Sequence, residues 1–293
     1  MYVEYADKRR IFLSRKRKVI VLNCTVLFII LLIWAFYNGL VVKNYIIYSD
    51  KLDVDESVRI VLITDLHSHI YGENQADIVS IVKRQNPDII ALAGDIADDV
   101  EPITGTELFL AGIKGVAPIY YVSGNHEFWS NDIKNIKDTI RKYDVTILEN
   151  NYEQIKVKNS HIIIGGVDDP DIVRYEKPSF DWQGEMQNVF SELQDKPGFK
   201  ILLSHRPELI EIYKDNSFDL VVSGHSHGGQ VRIPLIINGI FAPNQGWFPK
   251  YAGGAYKYGS LTHIVSRGVS YNPRLPRVFN PPEVVVIDIK GSI

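Results

Sequence analysis

Five short motifs carry the residue types that bind divalent metal ions. In chain order they are Asp65-Leu66-His67, Gly94-Asp95-Ile96-Ala97-Asp98, Gly124-Asn125-His126-Glu127, Ser204-His205 and Gly224-His225-Ser226-His227. Each is weak alone: a D-x-H pair arises by chance, and G-D or G-N is ordinary turn chemistry. Together they hold five of the eight histidines. Carboxylate, imidazole and amide donors suit Mn, Fe or Zn rather than a thiolate-loving ion. Two such ions roughly 3.5–4 Å apart would clamp a phosphate and lower the pKa of a bridging water toward about 7, and that hydroxide would attack phosphorus in line. The single cysteine, Cys24, lies far from these motifs in an apolar run. This excludes a thiol nucleophile and Cys-rich zinc sites.

The elements that must position these residues are legible as apolar runs. Arg59–Thr64, Ile89–Ala93, Ile119–Val122, Ile201–Ser204 and Leu220–Ser223 read as buried strands, and each runs directly into one of the motifs. Further strands are predicted at Val145–Leu148, Ile162–Val167, Gln230–Ile233, His263–Ser266 and Val284–Ile287. Helices are predicted at Gln75–Gln85, Gly105–Lys114, Asp132–Lys142, Trp182–Leu193 and Pro207–Lys214. Strands alternating with helices predict a layered α/β domain, with antiparallel pairing in the second half. Ligands then collect where parallel strands end. In an extended exit, residues i and i+2 point the same way, so Asp65 with His67 and His225 with His227 each share a side. The glycines before Asp95, Asn125 and His225 permit sharp turns there. Residues 232–260, rich in Gly, Pro and aromatics, read as a long functional loop.

The N-terminus is of another kind. Residues 1–18 hold seven basic side chains against two acidic ones, in a chain of 293 residues with net charge −3. Val19–Val42 is a run of 24 residues without a charge, about 36 Å as a helix, against a hydrocarbon layer of roughly 30 Å. Trp34 and Tyr37 sit near its far end, and Tyr45 and Tyr48 follow, as in an interfacial aromatic belt. The basic excess predicts a cytoplasmic N-terminus and a single-pass protein of the cell membrane whose main domain is extracytoplasmic. A cleaved signal peptide and a buried core helix are the rival readings. The expected divisions are a basic tail (1–18), a transmembrane anchor (19–42), a linker (43–56) and a catalytic domain (57–293). At 45% hydrophobic and 23% charged, the chain is neither disordered nor basic enough to suggest nucleic acid as a partner.

The order D-x-H, G-D-x-x-D, G-N-H-E, H, G-H-x-H resembles that of the calcineurin-like metallophosphoesterases, over about residues 57–289. The run Gly224-His225-Ser226-His227-Gly228-Gly229-Gln230-Val231-Arg232-Ile233-Pro234, with Ser266-Arg267-Gly268, is similar to a membrane-anchored or exported bacterial branch. That branch includes enzymes acting on phospholipid-like or nucleotide-linked lipid pyrophosphates. The resemblance implies an α/β/β/α sandwich of two mixed sheets flanked by helices, preceded by one N-terminal transmembrane helix. It implies two divalent metal ions (Mn²⁺, Fe²⁺ or Zn²⁺). Asp65, His67 and His227 would hold the first, Asn125, His205 and His225 the second, and Asp95 would bridge. His126 would protonate the leaving oxygen or bind phosphate, with Asp98 as its partner. The expected activity is hydrolysis of phosphoester or pyrophosphate bonds, with phospholipid or lipid-linked substrates favoured by the anchor. The alternative is a membrane-tethered metal-binding module without catalysis. Oligomeric state does not follow from the sequence.

Other residues carry open readings. Glu127 either supports the site or is a solvated turn residue. Asp98 is otherwise a helix cap, His69 solvated, and His161 and His263 structural. Arg206 and Arg267 either grip a phosphate or form surface ion pairs. Asp168 and Asp169 mark a strand exit without an assigned role. Trp247, Phe248, Tyr251, Tyr256 and Tyr258 either wall a lipid or base site or cover the core.

Overall fold

A computed structural model of the chain describes residues 2–271 and 275–292, with side chains from residue 16 onward. The basic residues Lys8, Arg9, Arg10 and Arg15 of the tail therefore lie outside the described side chains.

The first helix, α1, spans Tyr2–Ala35. Its stretch Lys16–Ala35 is long and apolar enough to cross a membrane, and fits a membrane anchor or a signal sequence. A core helix would bury one face, but here every residue from 16 to 34 is exposed. The helix ends at Ala35 rather than at Val42. The segment expected as a linker instead carries strand β1, Val41–Ser49. Tyr45 and Ile47, two residues apart on one face of β1, pack against the central core.

Two six-stranded mixed sheets make the body. The first has the order β1, β14 (Glu283–Gly291), β2 (Ser57–Ile63), β3 (Ile89–Ala93), β4 (Ile119–Val122), β5 (Val145–Ile147). β2 to β5 run parallel, while β14 is antiparallel to β2 and parallel to β1. The second has the order β12 (Gly254–Tyr258), β13 (Leu261–Val265), β9 (Leu220–Ser223), β8 (Phe199–Leu203), β7 (Ser160–Gly166), β6 (Asn151–Val157). Its four central strands are parallel and its two outer strands antiparallel. A two-residue hairpin, β10 (Phe241–Ala242) and β11 (Gly246–Trp247), stands apart.

The sheets face each other. Ile60, Leu62, Ile89, Ala91 and Val122 of the first meet Ile164, Ile201, Leu203, Leu220 and Val222 of the second in a buried core. Alternate residues of the same strands, such as Val61, Ile63, Ile90 and Leu92, face helices α2 (Ala76–Arg84), α3 (Thr104–Ile113) and α5 (Ile133–Arg141). Strands buried on both sides must be apolar throughout, so β3 reads Ile-Ile-Ala-Leu-Ala. Helices α7 (Trp182–Ser191) and α8 (Ile210–Tyr213) cover the outer face of the second sheet. Short helices α4 (Asn125–Trp129) and α6 (Ile172–Tyr175) lie at strand exits. The α/β/β/α order matches the expectation. The strand expected at Gln230–Ile233 does not form. Gln230 takes a left-handed φ of 58°, Pro234 lacks an amide hydrogen, and only bridges to Val278 and Ile237 remain.

Candidate metal centre

The strand exits are turned rather than extended, which corrects the spacing argument. Asp65, His67, Asp95, His225 and His227 have φ of 53°, 49°, 53°, 68° and 46°. Left-handed backbone costs a non-glycine residue roughly 1–2 kcal/mol, and it persists where surrounding bonds over-determine it. Those bonds join one exit to the next. Asp65 N donates to Gly94 O (3.0 Å), His67 N to Asp95 O (2.9 Å) and Ser68 N to Ile96 O (3.0 Å). Gly94 does turn, with φ 84°. Gly124 does not: it is extended, and its value is space, since a Cβ there would lie 2.1 Å from Asp95 Oδ1.

These turns gather two groups of donors. Asp65, His67 and His227 offer ligand atoms within 4.8 Å of one another, and so do Asp95, His205 and His225. Asp95 sits between the groups, with Oδ2 3.0 Å from His205 Nε2 and 3.7 Å from His67 Nε2. Its Oδ1 accepts the His126 backbone N–H at 2.9 Å. Of the buried side-chain atoms without a hydrogen-bond partner among the described residues, three belong to the expected ligands: Asp65 Oδ2, His67 Nε2 and Asn125 Oδ1. An orphaned buried polar atom costs about 1–3 kcal/mol. Three of them, all lone-pair donors, beside a shared carboxylate fit a pair of cations.

The imidazoles are held in ligand-ready tautomers by their far nitrogens. His205 Nδ1 meets the Ala93 carbonyl at 2.9 Å, which turns its Nε2 toward Asp95, and His67 Nδ1 meets Asp98 Oδ1 at 2.8 Å, which leaves its Nε2 without a hydrogen bond. His225 is reversed: its Nε2 meets Asn244 Oδ1 at 2.8 Å, leaving Nδ1 facing His205 at 3.3 Å. His227 lies with Nε2 3.6 Å from Asp65 Oδ1 and Nδ1 3.3 Å from Arg277. Burial, with help from the His67 and Arg277 charges, lowers His227 to about 3, and burial beside His205 and Arg206 also lowers His225. Both stay neutral and keep a lone pair. Burial alone would lower His205, but the Asp95 carboxylate overrides it and raises it to about 10. Burial likewise works to raise Asp95, yet the His205 and His126 charges hold it well below the usual carboxylate range.

His126 stands at the open side of the groups, 26% exposed at its side chain. Its closer carboxylate is not Asp98 but Asp99, with Nδ1 2.6 Å from Asp99 Oδ1 and 3.4 Å from Asp98 Oδ1. Asp98 binds His67 first and also accepts the Val100 and Glu101 amides. Burial opposes protonation of His126, but Asp95, Asp98 and Asp99 together raise it to about 9. Glu127 is fully buried, not a solvated turn residue. It accepts the amides of Asp95 (3.0 Å), Ile96 (2.7 Å), Ala97 (3.0 Å) and Gly124 (2.8 Å), fastening two strand exits together. Burial and the Asp95 charge push it up to about 7.

Arg206 and Arg267 form ion pairs, but inside the protein. Arg206 Nε and Nη2 hold Asp169 at 2.5 and 2.9 Å, and its Nη1 donates to Asn244 Oδ1 at 2.7 Å. Asp169 thereby supports His225 through Arg206 and Asn244. Arg267 pairs with Glu283. Asp168 accepts from Ser123 and Lys137. Breaking a buried pair from one side costs about 3–5 kcal/mol. Arg206→Met is therefore expected to lower unfolding free energy by about that much in urea titration, and a loss below about 1 kcal/mol would contradict the buried-pair account. Tyr251, Tyr256 and Tyr258 cover the core, whereas Trp247 and Phe248 are exposed. His263 is buried on Ser223, His161 is exposed, and His69 is half-buried between Tyr71 and Tyr271. Asp99, Asn244 and Arg277 were not found from the sequence. The first follows directly on G-D-x-x-D, the second had only the long loop as a signal, and the third had none.

The sequence profile of the calcineurin-like phosphoesterases matches residues 58–229. An uncharacterized metallophosphoesterase of Helicobacter pylori is 30% identical over 262 residues, which cover 86% of this chain and 65% of the relative. Another, from Aquifex aeolicus, is 30% identical over 257 residues, 86% of this chain and 92% of the relative. Phosphodiesterase YaeI of Escherichia coli is 27% identical over 237 residues, 79% and 82% of the two chains. This chain thus spans less than two thirds of the Helicobacter relative and nearly all of the Aquifex one.

Proposed function

The chain belongs to the calcineurin-like phosphoesterase family, metal-dependent hydrolases of phosphoric esters, and on that premise we propose that it is a membrane-anchored, two-metal enzyme acting on lipid-linked phosphoesters or pyrophosphates. Asp65, His67 and His227 would hold one divalent ion, Asn125, His205 and His225 the other, and Asp95 would serve both. Mn²⁺, Fe²⁺ and Zn²⁺ all suit this donor set. Bound there, the ions supply positive charge for phosphate oxygens and a more acidic water. The observation that carries the reading is the cluster of orphaned donors, Asp65 Oδ2, His67 Nε2 and Asn125 Oδ1, around the shared Asp95.

The protein side of the reaction falls to His126. Its ring is gripped at Nδ1 by Asp99, which leaves Nε2 to give a proton to the departing oxygen. Because its pKa is raised to about 9, the proton is present below that pH and is lost as pH rises through it. Asp99→Asn removes one carboxylate that supports the charge. The alkaline limb of the kcat–pH profile is expected to move to lower pH, and an unmoved limb would take Asp99 out of this role.

The YaeI name supports starting from diesters. Chelation with EDTA is expected to abolish hydrolysis of bis(p-nitrophenyl) phosphate, and Mn²⁺, Fe²⁺ or Zn²⁺, added singly, to restore it. Hydrolysis that survives chelation would overturn the two-metal reading. Phospholipids and nucleotide-linked lipids in vesicles, assayed beside soluble diesters, test the substrate class. The exposed α1 and the basic excess before it support anchoring with the catalytic domain outside the cytoplasm.

A further inference from the structure

Residues 233–249 contain no charged side chain and are bounded by Arg232 and Lys250. Leu235, Ile236, Trp247 and Phe248 are 108%, 78%, 71% and 66% exposed. They are held outward rather than left loose. Ile240 N donates to Gly229 O and Val231 O, Phe248 N donates to Ile240 O at 2.8 Å, and the Phe241 and Trp247 rings meet edge to face at 5.5 Å. Contiguous exposed apolar side chains rimmed by polar ones mark a contact surface.

The occupant follows from what lies beside the loop. Three consecutive residues, Val278, Phe279 and Asn280, bind three different parts of the molecule. Val278 O accepts from Arg232 N at 2.9 Å, at the base of the loop. Phe279 N donates to Ala35 O at 2.7 Å, and its ring lies 5.0 Å from Trp34, in the last turn of α1. Asn280 Nδ2 donates to the His227 carbonyl at 2.8 Å. The loop, the end of α1 and the metal-ligand turn are thus fixed side by side. A Trp-bearing apolar segment between two basic residues has the composition of a segment lying in the headgroup layer.

We infer that the loop Ile233–Phe248 is a second membrane contact, seated in the interfacial layer of the same bilayer that α1 crosses, beside the metal centre. The inference rests on the anchored reading of α1. It keeps the metal centre at the lipid surface instead of letting the domain swing free of it.

The test is spin labelling of the full chain in vesicles of phosphatidylcholine and phosphatidylglycerol, in a Cys24→Ser background. Single labels go in at Leu235→Cys and Trp247→Cys, with Leu27→Cys as the lipid reference and Lys134→Cys, on the solvent-facing side of α5, as the aqueous one. The ratio of collisions with oxygen to collisions with a water-soluble nickel chelate is expected to be several-fold higher at 235 and 247 than at 134. Ratios equal to that at 134 overturn the contact while leaving the anchor standing if position 27 reads as lipid. Protection from both reagents with spin–spin broadening overturns it in favour of loop pairing between two copies. An aqueous reading at 27 removes the anchor and the contact together. Because no turnover is read, the result is independent of the phosphoesterase assignment.

Discussion

Asp95→Asn is expected to strip the chain of bound metal and of turnover together while leaving it folded. Asp95 reaches both donor groups, with one oxygen 3.0 Å from His205 and 3.7 Å from His67. Asparagine has the same shape, so the neighbouring Gly124 still accommodates it, but it carries no charge and one of its two acceptors becomes a donor. A single charge–charge contact at about 4 Å is worth about 4 kcal/mol in a partly polar interior, or about a thousandfold in affinity. Mass-spectrometric metal content, initial rates on an aryl phosphodiester and circular dichroism would be read in parallel. A variant that keeps its metal and its rate ends the assignment of Asp95 as the shared ligand.

His126→Ala is expected to behave differently. Its ring nitrogen is committed to Asp99, so the seven proposed ligands remain in place and metal content is unchanged. What is lost is the proton donor, and general acid catalysis of this kind is worth about 10²–10⁴ in rate. The loss should fall equally on kcat and kcat/KM, as for an interaction made only in the transition state. A change confined to KM would make His126 a phosphate binder instead. Leaving groups acidic enough to depart unprotonated should be the least affected, which gives an internal check on the same protein.

The strands that carry the site were readable because they are buried on both faces. β3, β4 and β9 have the bounds expected from their apolar runs. Of the edge strands of the two large sheets, β5 was readable as an apolar run, whereas β1, β6 and β12 were not. β6 and β12 interleave Glu, Gln or Lys with aromatics. β1 reads in the sequence as an aromatic belt and linker, although its face period of two is present at Tyr45 and Ile47. Motif spacing grouped these donors for a partly wrong reason, since the exits are left-handed turns bonded across to one another. Residues that act through distance in the chain were lost. Asn244 supports His225 from 19 positions away and Arg277 meets His227 from 50 away, and neither pairing leaves a local pattern.

The nine-residue parallel register of β1 with β14 has a consequence for how the molecule bears load. β1 follows α1 after only a few residues, so in the proposed anchored protein lateral drag on α1 would be delivered along the strand direction. Bonds loaded along a ladder share force and must break together, whereas those at a hairpin end open one at a time. If α1 anchors the chain as proposed, the sheet edge acts as a mechanical clamp between that helix and the body of the protein. The same pairing joins residues about 240 positions apart, so loop closure delays it. During synthesis the clamp engages only after the intervening strands have been made.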